Sequence, residues 1–319
     1  MILIHRASDT STSSWVVRVW RSRSRQSGYG AAVVAWRCVG LRWTGGAPVL
    51  VWEGGRRSVL GYGRVIGFRV VGARGCVGAR GNACPVGAVV GGRSTGGRCA
   101  ECARWDRVGS VAADGVADDP RVYRVYLAWF GAGMVKVGIT AEERGDARLL
   151  EQGAVAYSWL GRGALMAARR TEEVLGTALG VPDRIPYAAK RVARVGLPGE
   201  WERAAEVAAL YRRAVAVPGW AETLERLEPR VVDQAEAFGL GRVDRIDGVV
   251  TELVDGGCVE GTLMAAAGPD LHLQAPDGRA LVLDTRLITG WELVAVGGSG
   301  EGTTVPVTVL PPGVQGGLF

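Results

Sequence analysis

The sequence predicts an α+β protein built from successive segments, β-rich at both ends and helical between them. Three observations carry this. Short β-branched runs separated by glycine pairs occupy residues 34–74, helical periodicity dominates from about 164 to 238, and the period changes to two from Gly241 onward. A length of 319 residues allows two or three domains and a core that folds without covalent help. Hydrophobic content of 48% and charged content of 22% are globular values.

Taken in order, residues 1–33 stand apart. Ser11–Ser14 and Arg21-Ser22-Arg23-Ser24-Arg25 are polar and of low complexity, so they cannot bury enough apolar surface to offset ordering entropy. They read as a non-native upstream extension or a disordered basic tail. Residues 34–119 form a β-rich segment with Val49–Trp52 and Val65–Val71 as strands, a cysteine-bearing stretch at 75–105, and an acidic linker from Asp114 to Pro120. Residues 120–185 form an α/β core. Arg121–Phe130 is a nearly continuous apolar run suited to a central strand, Gly131-Ala132-Gly133 reverses the chain, and Met134–Ile139 returns. Thr140 and Glu143 have capping-box spacing for a helix start, and Ala164–Leu179 is a second helix.

Residues 186–239 are expected to be helical, with an amphipathic helix over Glu202–Val217 and a further helical stretch over Trp220–Phe238 interrupted at Pro229. In residues 240–310 the strand candidates are Val249–Val254, Cys258–Met264, Leu271–Ala275, Leu281–Asp284 and Trp291–Val296. Asp255-Gly256 and Asp277-Gly278 are turn signals between them, and together they predict a small antiparallel barrel. Residues 311–319 read as a flexible tail.

No apolar run reaches the length of a membrane span, and Met1–His5 is too short an apolar start for a secretory signal, so a cytoplasmic location without membrane contact is expected. The net charge is +6, and Lys136 and Lys190 are the only lysines. Arginine makes forked contacts to phosphate, but it is also what GC-rich coding supplies, so the charge is compatible with a polyanionic partner without demanding one.

In a reducing compartment, cysteines read first as metal ligands or buried thiols. Cys76, Cys84, Cys99 and Cys102 have the spacing C-x7-C, 14 residues, C-x2-C. Four thiolates suit a structural tetrahedral Zn²⁺ and leave no open position for chemistry. Cys38 and Cys258 lack neighbours in sequence and read as buried thiols. Walker, G-x-G-x-x-G and His-Glu-x-x-His motifs are all absent, with His5 and His272 the only histidines.

The segment Tyr126-Leu127-Ala128, Lys136-Val137-Gly138-Ile139-Thr140, Arg148 and Gln152-Gly153-Ala154 resembles the domain of unknown function family 2797. The cysteine segment before it, Gly75-Cys76, Ala83-Cys84-Pro85 and Cys99-Ala100-Glu101-Cys102, fits the same pattern. The resemblance spans roughly 35–290 and is strongest over 122–155. Distantly, the same segment is similar to GIY-YIG nucleases in which Lys-Val/Ile-Gly replaces Tyr-Ile-Gly. That resemblance implies a GIY-YIG-like small antiparallel sheet with flanking helices. Its catalytic set would be Tyr126 as proton relay, Arg148 on phosphate and Glu172 (or Glu173) holding Mg²⁺.

Lys136 occupies the place of the second catalytic tyrosine, and with Arg144 it is expected to bind phosphate rather than take a proton. Further basic positions are Arg121, Arg124, Arg162, Arg169 and Arg170, and Trp129 and Trp159 are candidate stacking faces. The expected function is that of a zinc-stabilised nucleic-acid-binding protein, for DNA or RNA. The alternatives are an Mg-dependent endonuclease and a non-catalytic protein-interaction scaffold.

Overall fold

Two of the tightest glycine turns in the sequence set the first hairpin of each sheet. Gly45 and Gly46, both with positive φ, join β1 (Ala35–Thr44) to β2 (Ala47–Trp52), and Gly133 closes β5 (Val122–Gly131) onto β6 (Met134–Ala141). The structure, a computed structural model, describes residues 34–108, 119–298 and 300–310. The predicted extension at 1–33, most of the acidic linker and the tail at 311–319 lie outside the described residues.

The described chain is a mixed α+β structure with two sheets. After β2 come β3 (Arg57–Val59), β4 (Val65–Val71) and α1 (Ala100–Val108). The hairpin β5–β6 is followed by α2 (Ala147–Gln152), β7 (Ala156–Ala164), α3 (Leu165–Leu179), α4 (Tyr187–Ala193) and α5 (Glu200–Ala216). Two short strands, β8 (Glu225–Arg226) and β9 (Val231–Asp233), precede the C-terminal set. That set is β10 (Gly248–Val250), β11 (Cys258–Ala267), β12 (Asp270–Gln274), β13 (Ala280–Asp284), α6 (Thr285–Ile288), β14 (Glu292–Ala295) and β15 (Val307–Val309).

The expected barrel is not there. The C-terminal strands do not close on themselves but join β1–β4 in an open sheet of order β15-β10-β13-β12-β11-β4-β14-β1-β2-β3. The physical reason is edge pairing. β4 lies antiparallel between β11 and β14, with Phe68 opposite both Val259 and Ala295, so the edges that would have sealed a barrel are taken by N-terminal strands. Segments 34–119 and 240–310 thus share one sheet.

The small sheet has the order β6-β5-β7-β8, with β9 also on β7. Both faces of β5 are covered, which is why its sequence is nearly continuously apolar. Val125, Leu127 and Trp129 belong to the main core, while Tyr126, Ala128 and Phe130 pack on the other face with Leu149 of α2 and Tyr157 of β7.

Three local expectations fail. Trp220–Phe238 is not helical, because the chain there supplies β8 and β9 to the free edge of β7, and Pro229 has no N–H for a helix interior. Nor does Thr140 cap a helix. Ala141 holds the cap position of a short 3-10 turn at Glu142–Arg144 without a side-chain bond, and α2 begins only at Ala147. Trp129 is fully buried with its Nε1 donating to Glu206, so it offers no stacking face.

Among the described residues, no helix is long and apolar enough to cross a membrane.

Candidate functional site

Two constellations stand out, the cysteine cluster and a polar corner of the small sheet.

The cysteines come from a loop that the backbone bends around them. The Sγ atoms of Cys76, Cys84, Cys99 and Cys102 lie within 4.8 Å of one another, in the range of a tetrahedral four-thiolate site, whose S–S edge is about 3.8 Å. Backbone N–H groups turn inward. Gly78 N and Cys99 N donate to Cys76 Sγ at 3.4 and 3.2 Å. Gly78 must be glycine, since its φ is +76° and an added Cβ would come within 1.8 Å of Asn82 O. The Ala88 and Val86 backbone holds the Cys84 thiol down to about 6, whereas burial pushes Cys102 up to about 12. Donor type, spacing and inward N–H groups fit a soft divalent ion, and these four cysteines can hold one.

Arg74 anchors this loop to the large sheet. Buried itself, it donates to the carbonyls of Gly91, Ser94, Arg286 and Thr289 at 2.6–2.8 Å. Cys38 and Cys258 are buried, free thiols, as expected.

In the second constellation, β5 supplies Tyr126, β6 supplies Lys136, α2 supplies Arg148 and Gln152, and α3 supplies Glu172. The Tyr126 ring lies over Gly138, where a Cβ would sit 2.4 Å from the ring and hydroxyl. Gln152 Nε2 donates to the Tyr126 hydroxyl at 2.7 Å. Burial pushes the phenol up, Gln152 and the Arg148 charge oppose that, and the Glu172 charge adds to it. Burial likewise pushes the Glu172 carboxyl up against the pull of Lys136, and pushes the Lys136 amine down against the pull of Glu172. Glu172 rather than Glu173 belongs here, because Glu173 is exposed on the solvent side of α3.

Four of the other predicted cations are paired elsewhere. Arg144 pairs with Glu151 at 2.6 Å, Arg121 with Asp119 and Glu143, Arg124 with Glu142, and Arg162 with Glu225. Arg148 has no carboxylate partner among the described residues. Trp159 is half-buried, its edge against Tyr126 and Tyr157 and its face under Arg124 at 5.1 Å.

Sequence reasoning missed Lys190. On α4 it looks like a surface residue, yet it is only 4% exposed. Its Nζ donates to Gln152 O at 3.0 Å and lies 3.8 Å from the Phe130 ring centroid and 4.6 Å from that of Tyr187. Burial, with the charges of Arg194 and Lys136, pushes its amine down to about 7. The one available signal was compositional: a second lysine in a chain that otherwise uses arginine.

With this geometry in place, a family model described as a protein of unknown function, DUF2797, matches residues 63–293, more than half of the chain. The chain belongs to the DUF2797 family. No curated protein and no solved structure matches it. The DUF2797 match takes in all four clustered cysteines, both lysines, β4 and β10–β13, so the centre of the large sheet and the polar corner lie within one family unit.

Inside that unit the only described histidine is neutral. His272 on β12 is buried with Nε2 unbonded, and burial together with Arg194 and Arg191 pushes it down to about 3. Unfolded, it would take a proton near its ordinary 6.5. Between those values the unfolded DUF2797 chain binds more protons, so the stability contribution is complete above 6.5 and is lost as pH falls toward 3. The urea midpoint is expected to drop from pH 7 to pH 5, and in His272→Leu the drop should be smaller. Equal slopes in both proteins would contradict this.

Proposed function

We propose that this protein binds nucleic acid, that a Zn²⁺ in the four-cysteine cluster stabilises it, and that the corner of Tyr126, Lys136, Arg148 and Glu172 receives a backbone phosphate. One observation carries the reading. Among the cations assigned to the small sheet, Arg148 alone combines a position beside the Tyr126 hydroxyl with the lack of a carboxylate partner. A guanidinium in that setting is completed by an anion with several oxygens. The antiparallel β6-β5-β7 order with helices packed on it supports a GIY-YIG-like core.

The test is oligonucleotide affinity against salt, with DNA and RNA strands in parallel. The affinity should fall steeply with salt, and Arg148→Ala should lower the slope by about one. No binding at low salt to either polymer would reject the reading, and salt-insensitive capture of a protein would favour the scaffold.

A second reading, magnesium-dependent cleavage, is favoured by the half-buried Glu172 carboxylate on the same corner. It requires cleavage that depends on added Mg²⁺ and disappears in Glu172→Ala.

A further inference from the structure

In this chain arginine does the work of a cation everywhere but at two positions, and both lysines fall at one corner. They sit on different elements, β6 and α4, more than fifty residues apart, yet the charge of Lys136 bears on Lys190. If the corner needed only positive charge for phosphate, arginine would serve at least as well. What an amine can do and a guanidinium cannot is release its proton and attack carbon.

The surroundings suit that chemistry. Nucleophilic lysines are activated by desolvation and by a neighbouring cation. Lys136 is half-buried, burial and the Arg148 charge lower its amine against the pull of Glu172, and its Nζ donates to a backbone carbonyl, Asp183 O at 3.0 Å. That bond needs one N–H and leaves the nitrogen lone pair free on a neutral amine. Lys190, enclosed by Phe130 and Tyr187 and tied to Gln152 O, is closed to substrate, and the adjacent charge that lowers the Lys136 amine is that of Arg148.

We propose that Lys136 is an amine nucleophile that forms an imine with the open-chain aldehyde of a phosphate-bearing sugar, the source favoured by the rest of the corner being an abasic position in a nucleic-acid strand. The choice of a strand rests on the nucleic-acid reading above, whereas the amine chemistry does not.

The Lys136 nitrogen attacks the aldehyde carbon, and a C–N bond forms as the C=O electron pair becomes a hydroxyl. Loss of that hydroxyl as water, with a proton, leaves an iminium ion. Glu172 then takes a proton from the adjacent carbon, those electrons form a C=C bond, and the next C–O bond breaks. The phosphate leaves with the electron pair, against Arg148. No oxidant, reductant or metal enters, and water hydrolyses the iminium to return the amine.

The test is reductive trapping on the full-length protein with sodium cyanoborohydride, which turns the imine into a stable secondary amine. Three probes are used in parallel: an oligonucleotide with one abasic site, the same strand intact, and ribose 5-phosphate. Having only two lysines makes the peptide map simple. The expected result is an adduct with the abasic strand at residue 136 and none with the intact strand. In Lys136→Arg, the adduct should fall at least ~10-fold. Strand breakage without added Mg²⁺ should accompany the wild-type adduct when no reductant is present.

Binding of the intact strand with no adduct overturns the amine proposal and leaves the nucleic-acid reading standing. An adduct at Lys190 or at the N-terminal amine overturns the assignment to Lys136. Trapping of ribose 5-phosphate without binding of either strand supports the amine and rejects the strand as its source. The wild-type trapping result stands even if Lys136→Arg fails to fold.

Discussion

Replacing Cys99 with serine is expected to empty the metal cluster and free the loop that it folds. In small zinc-dependent domains, apparent binding energies of about 10–16 kcal/mol count as folding energy, because no preformed site exists without the ion. Here the stretch from Cys76 to Cys102 reaches only the first turn of α1 and has a hydrophobic core of only Cys76, Val90 and Cys102 with a few partly buried neighbours. The ion would therefore supply most of its cohesion. Metal content of the purified protein should fall from one ion per chain to near none, and limited proteolysis should cut between 77 and 98. The damage should stay local. Arg74 grips the loop base through four carbonyls that do not involve the sulfurs, so the sheet on the other side of Arg74 should keep its unfolding transition. An unchanged metal content in Cys99→Ser would refute the cluster as a metal site.

The largest expected loss of stability comes from Asp270→Ala. Asp270 on β12 is 0% exposed and accepts from Arg191 at 2.6 and 3.0 Å and from Arg194 at 2.6 Å. Asp284 also accepts from Arg191 at 2.8 Å. Removing Asp270 leaves the buried Arg194 guanidinium, already unbonded at Nε and Nη2, without its carboxylate. Breaking such a buried pair costs about 3–5 kcal/mol. Arg194 Nη2 also packs against Gly153 at the end of α2, where a Cβ would come within 2.4 Å, so the loss falls on the seam between the two sheets. The urea midpoint should drop accordingly with the m-value unchanged, and Asp270→Asn should lose less because it can still accept hydrogen bonds. A change below about 1 kcal/mol in Asp270→Ala would mean that water already reaches the pair.

Features with a local cause were legible in the sequence. The β5–β6 hairpin announces itself by its apolar run and glycine turn, and α3, α5 and β11–β14 fall close to their predicted positions. The four clustered sulfurs lie close enough to hold one ion, and Tyr126, Lys136, Arg148 and Glu172 fall at one corner of the small sheet. What stayed hidden depended on distant partners. β7 contains Gly161 and Gly163, which weaken its strand signal, and the reason for them is the close approach of Leu224, within 2.7 and 3.1 Å of a Cβ at those positions. The pairing of β4 with β11 joins residues nearly two hundred apart, which no local pattern encodes. Arg144 matched the expected residue type, yet Glu151 one turn into α2 claims it. Lys190 carried no local signal of burial, and only the packing of Phe130 and the end of α2 around it makes it a buried amine.

The position of β4 has a consequence for biosynthesis. Both of its hydrogen-bonding edges are completed by strands that emerge from the ribosome some two hundred residues later. Until Ala295 has left the exit tunnel, β4 carries two unsatisfied edges, and the β1–β2–β3 meander, whose partner is β14, has nowhere to dock. Such long-range closure makes maturation slow and exposes sticky strand edges meanwhile. Nascent chains halted before β14 should therefore bind trigger-factor-like holdases, whereas chains released at full length should not.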